Sequence, residues 1–328
     1  MKVRIGVVGL GLIWENVHMP IIDKMSKNFE VTAFCVRNPK KIQYWQDKYP
    51  SASVYTDYNE LVKDGKIDAV LVATPLALNA PVTLAALNAG KDVFAEKPLA
   101  YNVSDVDKII MAEKASKKTV YVLEQFLYNP QLPAMKEVFT SGRIGKPVYF
   151  ERTTHYLMDP KQDGYGKTSW RIESEFPLGH IYDGGVHDIA LMVELFGMPQ
   201  DMYALGRTLR EGMGKYDHIL SVFKYNNGLS GAFSHSAYLG CNKNFFNIRF
   251  TDGSMYVESD KITVENKSGG IEVINVGEGD LYEIMWQKLA DIINAGGKPL
   301  FTSEDSKNGI KILDAVDKSI TSGKPEKV

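Results

Sequence analysis

Two short segments carry side chains able to move a proton or to stabilise an oxyanion. The first, Gly179-His180-Ile181-Tyr182-Asp183-Gly184-Gly185-Val186-His187-Asp188, sets a carboxylate and an imidazole four residues apart. If the chain is helical from about Asp183, these two lie one turn apart on one face. A carboxylate beside an imidazole orients the ring and tunes its proton affinity, as a general base requires. Two other readings stay open: a structural Asp–His pair, and a metal set of His180, Asp183 and His187, for which no further partner is evident. The second segment, Asp92-Val93-Phe94-Ala95-Glu96-Lys97-Pro98, places Lys97 just past a strand-like run. Doubly wound sheets bind ligands beyond the carboxyl ends of their strands, and Pro98 restricts Lys97 to an extended conformation there. Taken alone, a strand-end lysine is more often solvated than catalytic.

A third segment, Gly9-Leu10-Gly11, points to a phosphate-bearing ligand. It follows the strand-like run Val3–Val8 and opens a helix. Gly9 permits the tight turn, and Gly11 lets the backbone N–H groups, with Leu12 and Ile13 next in line, approach a pyrophosphate at the helix N-terminus. The third position of the glycine pattern is Trp14, so this helix is expected to sit differently. The run after the second strand reads Cys35-Val36-Arg37-Asn38-Pro39-Lys40-Lys41, with no acid between Glu30 and Asp47. A carboxylate there would accept hydrogen bonds from the ribose diol of NAD. Arg37 can instead pair with a 2′-phosphate or stack on adenine, and Asn38 and Lys41 add donors. The plainer alternative is a solvated basic turn. The expectation is NADP(H) in preference to NAD(H).

The elements that must hold these groups follow from hydrophobic patterning. Val3–Val8, Val31–Val36, Ala69–Ala73, Asp92–Ala95 and Val120–Leu123 read as buried strands. Helices are expected through about Met25, from Pro39, from Ala80 to Asn88 with a stop at Gly90, and over Val103–Lys117. Alternating strands and helices imply a parallel, doubly wound α/β sheet, a Rossmann domain over 1–122. The pattern then changes. A helix over Asn129–Thr140 and a strand over Pro147–Tyr156 precede the strand-rich stretch 218–265. There Asn226-Asn227-Gly228 and Asp252-Gly253 mark tight turns. Residues 123–328 therefore read as an α+β domain with an open, antiparallel sheet, and the tail from Ser322 as frayed.

Bulk properties exclude several classes. The 328 residues suggest two domains, and the net charge of −2 leaves no basic stripe for nucleic acid. No apolar run reaches the roughly 20 residues of a membrane span. The apolar start is broken by glycines and followed by no cleavage site, so a cytoplasmic protein is expected. Cys35 and Cys241 match no metal or redox spacing, and Cys35 reads as a buried, inert thiol.

Together, Gly9-x-Gly11, Thr74-Pro75, Ala89-Gly90-Lys91 leading into Glu96-Lys97-Pro98, and Asp183-x-Gly185-x-His187 resemble the glucose–fructose oxidoreductase / inositol dehydrogenase / MocA (Gfo/Idh/MocA) family, over essentially the whole chain. The resemblance implies a catalytic lysine, aspartate and histidine at Lys97, Asp183 and His187. It implies a hydride exchanged between nicotinamide and a sugar, polyol or related hydroxy compound, and a homo-dimer or homo-tetramer built on the carboxyl-terminal sheet. It also adds Thr74, Pro75, Asn79, Glu96 and Lys97 to the cofactor residues. Tyr128, His155, Trp170 and Arg171 are expected at the substrate. The chain departs from the family pattern at Asn79, often histidine, at Leu127, often arginine, and at Ala190, often aspartate. A redox-silent sugar sensor and an NAD-dependent glycosidase share the fold and remain alternatives.

Overall fold

The computed structural model describes residues 2–159, 164–172, 178–210, 214–239, 242–277 and 279–328. Cys241 lies outside the described residues. The chain forms two compact units: Met1–Gln125 with Asp280–Lys307, and Phe126–Gly279 with Asn308–Val328. A division at 122/123 therefore misses the return of 280–307 to the first unit. Its cause is the apolar face of the helix Leu281–Ala295, which buries Met285, Trp286, Leu289 and Ala290. The Trp286 ring lies 5.1 Å from those of Phe29 and Phe94.

The first unit holds β1 (Val3–Val8), β2 (Phe29–Cys35), β3 (Ser53–Tyr55), β4 (Ala69–Val72), β5 (Asp92–Glu96) and β6 (Val120–Leu123). They pair in parallel in the order β3-β2-β1-β4-β5-β6. The four residues of β4 and of β6 are all buried, as continuous apolar strands of a parallel sheet must be. Helices cover Met19–Lys24, Pro39–Lys48, Tyr58–Leu61, Leu76–Asn88 and Val103–Ser116. The fourth starts a turn before the expected Ala80: Pro75 stands at its N-cap in an extended conformation, and Pro81 is absorbed inside it.

The second unit is built on β7 (Pro147–His155), β8 (Asp201–Arg207), β9 (His218–Lys224), β10 (Ser230–Ser236), β11 (Lys243–Phe250), β12 (Gly253–Val257), β13 (Lys261–Asn266), β14 (Ile271–Asn275) and β15 (Glu326–Lys327). Their order is β14-β13-β12-β11-β7-β10-β9-β8-β15, and only β7 and β10 run parallel. The carboxyl-terminal segment is not frayed: Gly323 turns at φ +67°, and Glu326–Lys327 pairs with β8.

One sheet face is packed. Phe150 stacks on Phe196, at the end of the helix Val186–Phe196, at 4.5 Å, and Phe246 and Tyr225 close around them. On β9 the buried Ile219, Ser221 and Phe223 alternate with Leu220, Val222 and Lys224, which face water. Among the described residues no helix is long and apolar enough to cross a membrane.

Candidate active site

In the first unit the expected dinucleotide residues gather at the carboxyl ends of β1, β2 and β4. Gly9 follows β1 at φ +104°, and a Cβ there would stand 2.3 Å from the Ala73 carbonyl oxygen. No L side chain fits that turn. Gly11 has nothing within 4 Å of its Cβ position, so its backbone stays open to approach. Leu12 and Ile13 begin the helix. The expected misfit of Trp14 is resolved by a π-helical turn over Trp14–His18. Its wider winding leaves Trp14 fully buried, 6.4 Å from the Trp45 ring.

A cavity of about 410 Å³ opens beside this turn, lined by Gly9, Val36, Arg37, Asn38, Lys41, Thr74 and Pro75. Among the lining residues that sequence reasoning missed are Asp57 and Tyr58. They follow β3, whose three residues are too few to show an alternation. Asp57 brings to the cavity the carboxylate that the stretch after β2 lacks. It also caps the short helix, accepting from Asn59 N at 2.9 Å. Arg37 is exposed and, among the described residues, forms no ion pair. Lys41 is tied to Glu15 at 3.1 Å, and Asn38 Oδ1 caps its helix through Lys40 N. Cys35, expected in the core, is half-buried against the cavity, where burial and the charge of Asp57 push its thiol up.

The remaining first-unit residues sit at the end of β5. Lys97 follows the strand and is half-buried. The Glu96 carboxylate accepts from the Lys97 backbone N–H at 3.1 Å and meets His18 Nε2 at 2.7 Å. Asn79 is committed to the protein. Its amide donates to the carbonyls of Glu96 and Pro98 at 3.2 and 3.0 Å, and its oxygen accepts from Thr74 Oγ1 at 2.7 Å.

In the second unit Asp183 lies in a π-helical turn, Ile181–Gly185, and His187 in the first turn of the α-helix that follows. Arg171 donates to Asp183 Oδ2 at 2.7 Å and lies 4.0 Å over the Trp170 ring. Phe126 stacks on the His187 imidazole at 4.6 Å, with the planes 17° apart. Tyr128 is buried in the adjoining turn, Gln125–Tyr128. Arg171 and Phe126 thus pack against this one helical segment.

His155 does not join them. Along β7 Arg152 faces the helix and pairs with Asp188 at 2.6 Å, so His155, three residues on, points to the opposite face. There it meets Ser234 Oγ at 2.8 Å, beside His218. Instead, two residues the sequence did not offer stand against the Asp183 segment. A Cβ on Gly184 would lie 2.5 Å from the Tyr156 hydroxyl, and one on Gly185 3.3 Å from His235 Nδ1. Burial lowers the His235 pKa to about 4 and also lowers that of His180. The only advance signal was strand alternation, and a one-residue register difference inverts it. Among the described residues no group of three or more His, Cys, Asp or Glu is arranged to hold a metal.

A family model described as an oxidoreductase family with an NAD-binding Rossmann fold matches residues 3–124, and its GFO/IDH/MocA C-terminal domain matches 133–256. An uncharacterized protein of Saccharomyces cerevisiae is 29% identical over 291 residues, which cover 86% of this chain and 82% of its own. The inositol 2-dehydrogenase of Salmonella typhimurium is 34% identical over 150 residues, 45% of this chain and 44% of the enzyme. An oxidoreductase from Thermotoga maritima has the same fold, with a TM-score of 0.91 at 28% identity, covering 100% of this chain and 98% of its own. The glycine cradle, the parallel six-stranded sheet and the mixed nine-stranded sheet thus accompany matches along both units, and the chain belongs to the Gfo/Idh/MocA family of NAD-binding oxidoreductases.

Proposed function

We propose that this protein is a dehydrogenase that acts on a CH–OH group of a sugar, a polyol or a related small hydroxy compound, with NADP(H) preferred over NAD(H). The observation that carries the reading is the cavity of about 410 Å³ framed by Gly9, a position no side chain could occupy. Gly9, Gly11, Leu12 and Ile13 would hold the pyrophosphate, Thr74 and Pro75 the adjoining wall, and Arg37, Asn38 and Lys41 the adenosine end. When bound, the nicotinamide supplies the hydride acceptor or donor. The partial match to inositol 2-dehydrogenase supports a polyhydroxylated substrate.

In the oxidative direction His187 accepts the hydroxyl proton, and the Phe126 ring stacked at 4.6 Å fixes the plane in which it does so. Asp183, held by Arg171, orients that step. Lys97 stabilises the developing alkoxide, the kind of fixed charge that lowers such barriers most. Tyr128, Trp170 and Arg171 contact the substrate, and Tyr156, which stands against the Asp183 segment, takes the place first given to His155. A second copy of the chain covers the outward sheet face, where Leu205 and Leu220 are paired in register and 52% and 37% exposed.

The test is a panel of sugars, polyols and hydroxy acids offered with NADP and NAD and followed at the absorbance of the reduced nicotinamide. Turnover of at least one polyhydroxylated compound is expected, faster with NADP at low concentration. Tight dinucleotide binding with no turnover across the panel would overturn the reading.

A further inference from the structure

Behind Lys97 lies a buried chain of polar contacts that joins three distant parts of the first unit. Trp286, on the helix that returns from the carboxyl-terminal end, places its indole Nε1 3.1 Å from His18 Nδ1. An indole N–H can only donate, so His18 Nδ1 accepts. The ring proton of the neutral imidazole is then on Nε2, which donates to Glu96 Oε1 at 2.7 Å. The other oxygen of Glu96 accepts from the Lys97 backbone N–H at 3.1 Å. His18 and Trp286 are fully buried and Glu96 nearly so. The rings of Tyr282 and Trp286 meet the imidazole edge-on, each at 5.8 Å.

From this geometry we infer that His18, set in one tautomer by Trp286, is a positioning residue: through Glu96 it fixes the backbone from which the Lys97 ammonium projects. Three features favour this over simple core filling. The π-helical turn Trp14–His18 brings His18 to the end of β5, and such turns gather at functional sites. Every polar atom of the chain is used, so the carboxylate has one orientation. Asn79 grips the same backbone from the other side through the Glu96 and Pro98 carbonyls, so the Glu96–Lys97 peptide is held at both its N–H and its carbonyl. A strand end needed only for packing requires neither device. Placement matters because displacing a catalytic group by about 1 Å can cost on the order of 100-fold in rate.

The inference rests on the catalytic reading of Lys97, and its test separates the two. The variants are His18→Leu, His18→Gln, Trp286→Phe and Lys97→Met, each checked for folding by circular dichroism. Gln offers both an acceptor to Trp286 and a donor to Glu96, so it is the conservative rescue. The first readout needs no substrate: amide hydrogen exchange of the peptide that contains Lys97. His18→Leu is expected to speed that exchange about tenfold with β4 unchanged, Trp286→Phe to do so less, and His18→Gln to restore it. The second readout is turnover: kcat falls at least tenfold in His18→Leu, KM and dinucleotide affinity stay within twofold, and His18→Gln recovers most of the loss. If Lys97→Met turns over normally, the catalytic reading fails whatever His18 does. If Lys97→Met is inactive while folded His18→Leu keeps wild-type kcat and exchange, the positioning role is wrong. If His18→Leu does not fold, Trp286→Phe and His18→Gln decide the matter by the same two readouts.

Discussion

Replacing Arg37 with alanine should erode the preference for NADP(H), and the size of the effect can be worked from its surroundings. Arg37 lines the cavity beside Gly9, is exposed, and forms no ion pair among the described residues. Its neighbours are less free to act. Lys41 is engaged with Glu15 at 3.1 Å, and the Asn38 side-chain oxygen is used as a helix cap. Arg37 should therefore carry most of the contact to a 2′-phosphate. Hydrogen bonds to charged groups contribute about 1.5–3 kcal/mol, and an exposed one belongs at the low end. About 1.5 kcal/mol is roughly tenfold in affinity. Arg37→Ala should weaken NADPH about tenfold and NADH about twofold or less, the remainder being lost stacking on adenine. Because the contact is exposed, raising salt toward 1 M, where the screening length falls to about 3 Å, should shrink the wild-type preference in the same way. Asp57 supplies the opposing charge in the same cavity. Asp57→Asn should shift the ratio further toward NADPH. Fluorescence titration of both reduced cofactors against the three proteins, at low and high salt, reads all of this. Equal affinities in the wild type, a preference for NADH, or a ratio unchanged by Arg37→Ala would refute the reasoning.

Three further outcomes are expected. Lys97→Met and His187→Ala should each lower kcat about 10²–10⁴-fold with near-normal dinucleotide affinity, and wild-type turnover in His187→Ala would dismiss its role as base. Sedimentation should find a dimer or tetramer that Leu220→Glu dissociates, since the change buries a charge against the exposed Leu205 and Val222; a wild-type monomer at micromolar concentration ends that proposal. Burial holds the His235 pKa at about 4, below the usual 6.5; the Asp188 charge opposes the shift, while His180, His155 and Arg152 add to it. The unfolded chain then binds the proton first, so stability is complete above about pH 6.5 and falls as pH drops toward 4, by about 3 kcal/mol in all. The urea midpoint should decline over that range, less steeply in His235→Phe, and a flat profile in the wild type would count against it.

What was legible in the sequence was what depends on local pattern. The runs of β4 and β6 are buried and apolar throughout, as is β1 past Arg4, so their places in a parallel sheet follow from composition alone. Gly9 announced itself because its conformation excludes every other residue. The failures share a cause in long-range geometry. Trp14 looked like a departure because a glycine pattern presumes an α-helix, whereas one π turn moves it into the core. Asp57 was invisible because it reaches the cavity from a strand of three residues. His155 and Tyr156 are neighbours on one run, and which of them faces the helix is set by pairing with β10 and β11, some 80 residues away. Trp286 is the extreme case. Nothing near it in sequence suggests an active site, yet its indole N–H sets the tautomer of an imidazole 268 residues earlier. Short motifs name the groups that do the chemistry. The groups that hold them still come from wherever the fold returns the chain, and they must be sought by following each buried hydrogen bond outward from the motif to its last partner.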